Sequence, residues 1–216
     1  MADVTVLTPK GVATRARIVE AAADLILARG VGGTSLDEIR AGTATSKSQL
    51  FHYFPGGKTE LVAAIAAFQA ERVFEAQRPY LDELDTWEAW EGWCDAVLAH
   101  YCAQPSWGCP IGSLVSELLS DEPELRAEVA AHLDRWRSYL EAGLYRMRAK
   151  SLLRPEAEPR GLSLSIFAAL QGGLLLTQTM KSREPLERAL AGAMDVLREA
   201  SVKRSARRPM AKLGSP

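Results

Sequence analysis

TSKSQLFHYF, residues 45–54, packs hydroxyls, a lysine, an amide, a histidine and three aromatic side chains into ten positions. Placed on a helix at about 100° per residue, Leu50 and Phe54 fall on one side, while Thr45, Ser48, Gln49 and His52 line the other. Lys47 and Phe51 flank that stripe on one edge and Tyr53 on the other. An ordinary solvated face carries Glu and Lys pairs. Hydroxyls, an amide, an imidazole and a cation suit base edges and phosphate oxygens instead. A decapeptide of this kind, taken alone, is more often a plain amphipathic helix, so its neighbours have to decide.

The chain has 216 residues, 47% hydrophobic and 25% charged, enough for one large domain or two small ones. Its net charge of −1 hides a split. Residues 1–60 hold 7 Lys/Arg against 6 Asp/Glu, residues 61–202 hold 14 against 21, and residues 203–216 hold 5 against none. An anionic partner is therefore expected at the N-terminal region, not the middle. Cys94, Cys102 and Cys109 do not make a disulfide framework, and no metal-ligand spacing joins them to His52, His100 or His132. A reducing cytosol fits this usage. The start, MADVTVLTPKGVATR, lacks the apolar core of a signal peptide. Gly161 to Met180 is free of charge, yet its Ser163, Ser165, Gln171, Thr177, Gln178 and Thr179 are unlike a lipid-facing span, so no membrane is expected.

Strand signals are almost absent and apolar residues recur at a period near 3.6, so the fold is expected to be all-α. A first helix runs from about Val12 to Ala28 and stops at Gly30, with Lys10, Arg15 and Arg17 crowding its start. Ser35 and Glu38 form a capping box for a short helix with Leu36 and Ile39 inward. GTAT breaks it, and Thr45 or Ser46 caps a second short helix carrying the polar stripe. Two short helices joined by a tight turn make a helix-turn-helix.

PGGK closes that unit, and a long helix is expected from Lys58 to about Tyr80. Thr86 caps the next, through His100, and a short one lies near 111–120. Asp121 caps a helix with Pro123 in its first turn that reaches about Lys150. Two more run from about Arg160 to Lys181 and from Pro185 to about Val202. The tail from Lys203 has no apolar period and is read as disordered.

TSLDEI, TSKSQLFHYFPGGKTEL and the helices after them resemble the TetR family of transcriptional regulators over nearly the whole chain. SKSQLFHYFPGGK, GCPIGSLVSEL and ALQGGLLLTQT are similar to its branch of lincomycin-resistance and flavonoid-responsive repressors. The resemblance implies a helix-turn-helix DNA-binding domain at 1–57, an effector-binding and dimerisation domain at 58–202, and a basic tail at 203–216. It implies a homodimer that represses from a palindromic operator and is released by a small, largely apolar or aromatic molecule, with no cofactor and no metal.

Carried onto this chain, Lys47, Ser48, Gln49 and His52 stand where such regulators read bases, with small Thr45 permitting close approach. Arg15, Thr34, Ser35, Tyr53 and Lys58 stand near phosphate-holding positions. Two departures matter. The family often has Tyr at Phe51, which leaves this ring for a sugar or thymine methyl. It often has Gly at Ala44, so either the turn is shifted or Ala44 takes positive φ.

Dimer contacts implied are Leu162, Ile166, Ala169, Leu170, Gly173, Leu176 and Met180, joined by Leu190 and Met194, although such stripes also build monomer cores. The middle must then hold the effector, with Phe68, Trp90, Tyr101, Trp107, Trp136, Tyr139 and Phe167 as flat surfaces and Gln171 as a polar orienting group. Aromatics at helical spacing are equally ordinary core. Two rivals remain. An all-α enzyme has no nucleophile motif, H-E-x-x-H or phosphate loop to support it. A redox-sensing regulator would use Cys94, Cys102 and Cys109, but Cys94 and Cys102, eight residues apart on one helix, are too far apart for a bridge.

Overall fold

The computed structural model describes residues 7–104, 107–118 and 122–202. The basic tail and the expected Asp121 cap lie outside them. Nine α-helices and one 3-10 turn make up the described residues, with no named strand: α1 Pro9–Arg29, α2 Leu36–Gly42, α3 Lys47–Tyr53, α4 Gly57–Glu75, the turn Tyr80–Asp82, α5 Trp87–Cys102, α6 Pro110–Glu117, α7 Pro123–Ala149, α8 Pro159–Met180 and α9 Glu184–Glu199. An isolated pairing of Leu153 with Ser201 ties the ends of α7 and α9 together.

Helix α1 starts earlier than periodicity places it. The Thr8 side chain caps Gly11 N at 3.2 Å and Pro9 opens the first turn, where its missing N–H costs nothing. Ile18, Val19, Ala22, Ala23 and Ile26 bury one face. Ser35 and Glu38 close the capping box at α2, and Ser46 with Gln49 closes another at α3. Between them Ala44 sits at φ 48, a left-handed conformation that disfavours a Cβ.

Helix α4 links the N-terminal unit to the rest, packing on α1, α6 and α7. It ends at Glu75, short of the expected Tyr80, because Pro79 disfavours helical backbone in the residue ahead of it. Behind it lies a buried polar knot. Gln77 is fully buried; its Oε1 accepts from Trp93 Nε1 at 2.7 Å and Trp136 Nε1 at 3.0 Å, while its Nε2 donates to Val73 O at 2.7 Å.

Helix α8 is long and apolar enough to cross a membrane by length and composition. One face packs on α7 and α9 instead. Ile166, Leu170 and Gly173 of α8, with Leu190 and Met194 of α9, are buried within the single chain, and Ala189 approaches so closely that a Cβ on Gly173 would lie 2.7 Å from it. These five expected dimer contacts are thus packing inside one protomer, and Leu162 and Ala169 are partly buried with them. An uncharged helix has apolar residues all round, so period alone cannot choose which face meets its own chain. The outward face carries Leu164, Leu175, Leu176 and Met180, exposed by 59%, 63%, 51% and 63%, with Ala168 and Gly172 between them.

Candidate nucleic-acid interface and cleft

Leu50, with Phe54 just beyond the helix, anchors α3 in the core. Lys47, Ser48, Gln49, Phe51 and His52 face solvent, Tyr53 is half-buried, and the His52 ring meets Tyr53 edge-on at 5.0 Å. Gln49 is partly committed: its Oε1 accepts from Ser46 N at 3.1 Å, leaving the Nε2 donor for a partner.

Thr45 does not belong to the outward stripe. It precedes the cap, is buried, accepts from Thr43 Oγ1 at 2.9 Å and donates to Thr43 O at 3.2 Å, which braces the turn. Thr34 is likewise buried, donating to Gly30 O at 2.8 Å, so its hydroxyl is not offered to a phosphate. Lys58 is drawn inward as well, with Nζ donating to Val31 O at 2.6 Å. Arg15 lies over the Phe54 ring at 4.8 Å, and Arg17 donates to Thr43 O. Ser35 is exposed but shares its hydroxyl with Glu38. Lys10, a further cation of α1 absent from the expected contacts, is exposed.

The expected aromatic pocket is core. Trp90, Tyr101 and Trp136 are fully buried and Phe167 nearly so; Trp136 meets Phe167 at 5.4 Å and Phe74 at 6.4 Å. Phe68 and Tyr139 lie beneath Arg72 and Arg135, and Trp107 is half-buried. None of these seven lines the two-part cleft along α6. Large rings remove more apolar surface from water than any other side chains, so a helical bundle spends them on its centre first.

The cleft lies instead along α6. One part, about 510 Å³ with open solvent included, is bounded by Ala23, Ile26 and Leu27 of α1, Ile65 and Gln69 of α4, and Pro110, Ser113, Leu114 and Glu117 of α6. Ser113 and Gln178 are shared with a second part that adds Cys109, Gly112, Ser116, Gln171 and Leu175. Gln171 is the expected pocket residue found here, and its Nε2 is buried without a hydrogen-bond partner among the described residues. Sequence reading missed the α6 polar groups, whose sole signal is Ser113, Ser116 and Glu117 on a short apolar helix.

Burial, helped by Asp95 and Glu91, pushes the Cys94 thiol up to about 12, and burial raises Cys109 against its hydrogen bonds to Gly112 and Ile111. Thiols held protonated are poor nucleophiles, and eight residues of helix put Cys94 and Cys102 about 12 Å apart along the axis, beyond any disulfide. All three cysteines are free. Cys94 and Cys109 are thus poorly suited to redox sensing, and Cys102, half-buried, has no disulfide partner on its helix.

Residues 18–65 match the family described as bacterial regulatory proteins, tetR family, and residues 90–193 match the tetracyclin repressor-like C-terminal domain. The chain belongs to the TetR family. This TetR-family regulator is 26% identical over 181 residues to the HTH-type transcriptional regulator LmrA of Bacillus subtilis, across 80% of its own length and 90% of that protein's. A TetR transcriptional regulator from Chloroflexus aurantiacus superposes with a TM-score of 0.76 at 26% identity, covering 90% of this chain and 98% of the other. AibR, solved with isovaleryl coenzyme A and operator DNA, shares the fold with a TM-score of 0.60 at 22% identity over 85% of this chain and 97% of its own. The family and these relatives are transcriptional regulators, not enzymes.

Proposed function

We propose that this TetR-family regulator is a cytoplasmic homodimeric repressor that seats α3 of each protomer in the major groove of a palindromic operator and leaves it when a small molecule fills the cleft along α6. The observation that carries the reading is the α3 surface itself. A capped helix anchored by Leu50 presents Lys47, Ser48, Phe51 and His52 together, with one free amide donor on Gln49. Lys47 and Lys10 supply salt-sensitive attraction, Ser48, Gln49 and His52 address base edges, and Phe51 packs on sugar or a thymine methyl. Tyr53, Ser35 and Arg15 border the phosphates.

Dimerisation follows from magnitude. Seven helical residues span about 10 Å, roughly three base pairs, and one good bidentate contact discriminates by about 1–3 kcal/mol. Specific binding needs about 4–10 kcal/mol over random sequence, so one α3 is too little and a symmetric pair roughly doubles it. The bare outward face of α8 is the surface for that pairing. Completing the burial of its four large side chains contributes on the order of 1 kcal/mol each. A split into a DNA-binding unit at 1–57 and an effector and dimer unit at 58–202 belongs to the same proposal. Selection from a random duplex library with the wild-type protein tests it. An enriched inverted repeat, with half-site centres about one helical turn apart or a multiple of that, is expected; no enrichment overturns the reading.

A further inference from the structure

We propose that the part of the cleft between α1, α4 and α6 takes a molecule with an apolar body and a protonated amine, and that the amine replaces the Val31 N–H on the Glu117 carboxylate. This deepens the repressor reading, resting on it for the link to DNA release.

The walls state the ligand's chemistry. Ile26, Leu27, Ile65 and Leu114 give an apolar floor, and no Lys or Arg lines it. Glu117 is the sole ionisable lining group and pairs with no cation among the described residues. Gln69 is 5% exposed and lines the same space, yet its amide has no hydrogen bond among the described residues. An anion entering here would meet a carboxylate and no lining cation. An ammonium group would gain charge-assisted hydrogen bonds, roughly twice as strong as neutral ones, with Gln69 free to accept one more.

Glu117 is also a tie between two parts of the chain. Its Oε2 accepts from Val31 N at 2.5 Å, in the corner between α1 and α2. A Cβ on Gly30 would lie 2.7 Å from that oxygen and 3.3 Å from Oε1, so the carboxylate is seated against bare backbone. Lys58 of α4 holds the carbonyl of the same residue at 2.6 Å. Val31 is thereby fastened to α6 through its N–H and to α4 through its C=O. A carboxylate has about four lone-pair sites, and Oε1 carries no hydrogen bond among the described residues, so an amine can dock there first. The Val31 N–H bond is exposed; surrendering it to water costs little. Once it is surrendered, α6 no longer holds the corner that leads into α2 and α3. The proposal assigns DNA binding to the closed tie; an amine that binds better with the tie open than closed then shifts the protein away from that arrangement.

The test uses three matched probes on the full-length protein: 2-(1-naphthyl)ethylamine, 2-(1-naphthyl)ethanol and 3-(1-naphthyl)propionate. Calorimetry is expected to show the amine binding about tenfold or more tighter than either other probe. In Glu117→Gln, which keeps the side chain's shape and an acceptor for Val31, that preference falls to about twofold. Saturating amine raises hydrogen exchange at the Val31 amide by about fivefold or more while α8 amides stay unchanged, and it releases the duplex selected by the wild-type protein. Absence of binding by all three probes, equal binding of amine and propionate, a preference that survives Glu117→Gln, or an unchanged Val31 amide overturns the proposal. If wild type selects no duplex, the repressor reading fails while the amine preference is still decided by calorimetry.

Discussion

Gln49 serves two structures with one amide. Its oxygen closes the α3 capping box on Ser46 N, and its Nε2 is left facing outward. Substitution by alanine would remove both functions and blur them. Gln49→Glu separates them, because glutamate is an equally good partner in a capping box and favours the positive end of the helix. The variant is expected to keep its Tm within about 2 °C while losing about tenfold or more in DNA affinity, as a donor is removed and a negative charge is set against the duplex. Unchanged affinity by fluorescence anisotropy would show that this amide does not meet a base. Read at helical period, Ser48, Gln49 and His52 were legible as outward neighbours. Thr45 was not, since the helix begins only at Lys47 and periodicity does not know where a cap falls. Nor could spacing reveal that Thr34 and Lys58 satisfy backbone carbonyls of the α1–α2 corner.

Among elements, helix positions were legible from caps and prolines, whereas the partner of each face was not. The five expected dimer residues on α8 and α9 and two of the tryptophans expected in a pocket, Trp90 and Trp136, proved to be intramolecular core, while Trp107 is half-buried. Both errors have one cause: apolar residues state that they will be buried, not against what. The Gln77 knot shows how much rests on a contact that no local pattern announces. It joins the turn after α4 to Trp93 on α5 and Trp136 on α7, 16 and 59 residues away. Gln77→Met fills similar space but leaves two buried indole N–H groups unpaired. Destabilisation of about 3 kcal/mol is expected, seen as a fall in Tm of roughly 6–12 °C. A shift under about 2 °C would mean that water or a rearranged side chain satisfies both indoles.

At the scale of the whole molecule, two histidines set a pH response. Burial and then Arg72 lower His100, and burial and then Arg135 lower His132 against the pull of Glu128 and Glu71. Both protonate less readily folded than unfolded. Their contribution to stability is therefore complete above the ordinary histidine value of about 6.5 and is lost as the pH falls through the depressed folded values. Tm is expected to drop between pH 7.5 and pH 5, and His100→Gln/His132→Gln to flatten that drop; an equally steep profile in the double variant would place the response in the carboxylates.

In the proposed assembly the dimer forms through the outward face of α8, where Leu164 and Leu176 stand exposed. Sedimentation of wild type and of Leu164→Glu/Leu176→Glu, alone and with the selected duplex, tests the central claim that paired α3 helices read one operator. The account predicts a wild-type dimer that places two protomers on each duplex, and a folded monomeric variant that binds about a hundredfold or more weaker. A wild-type monomer, or a monomeric variant that holds the duplex as tightly as wild type, would contradict it.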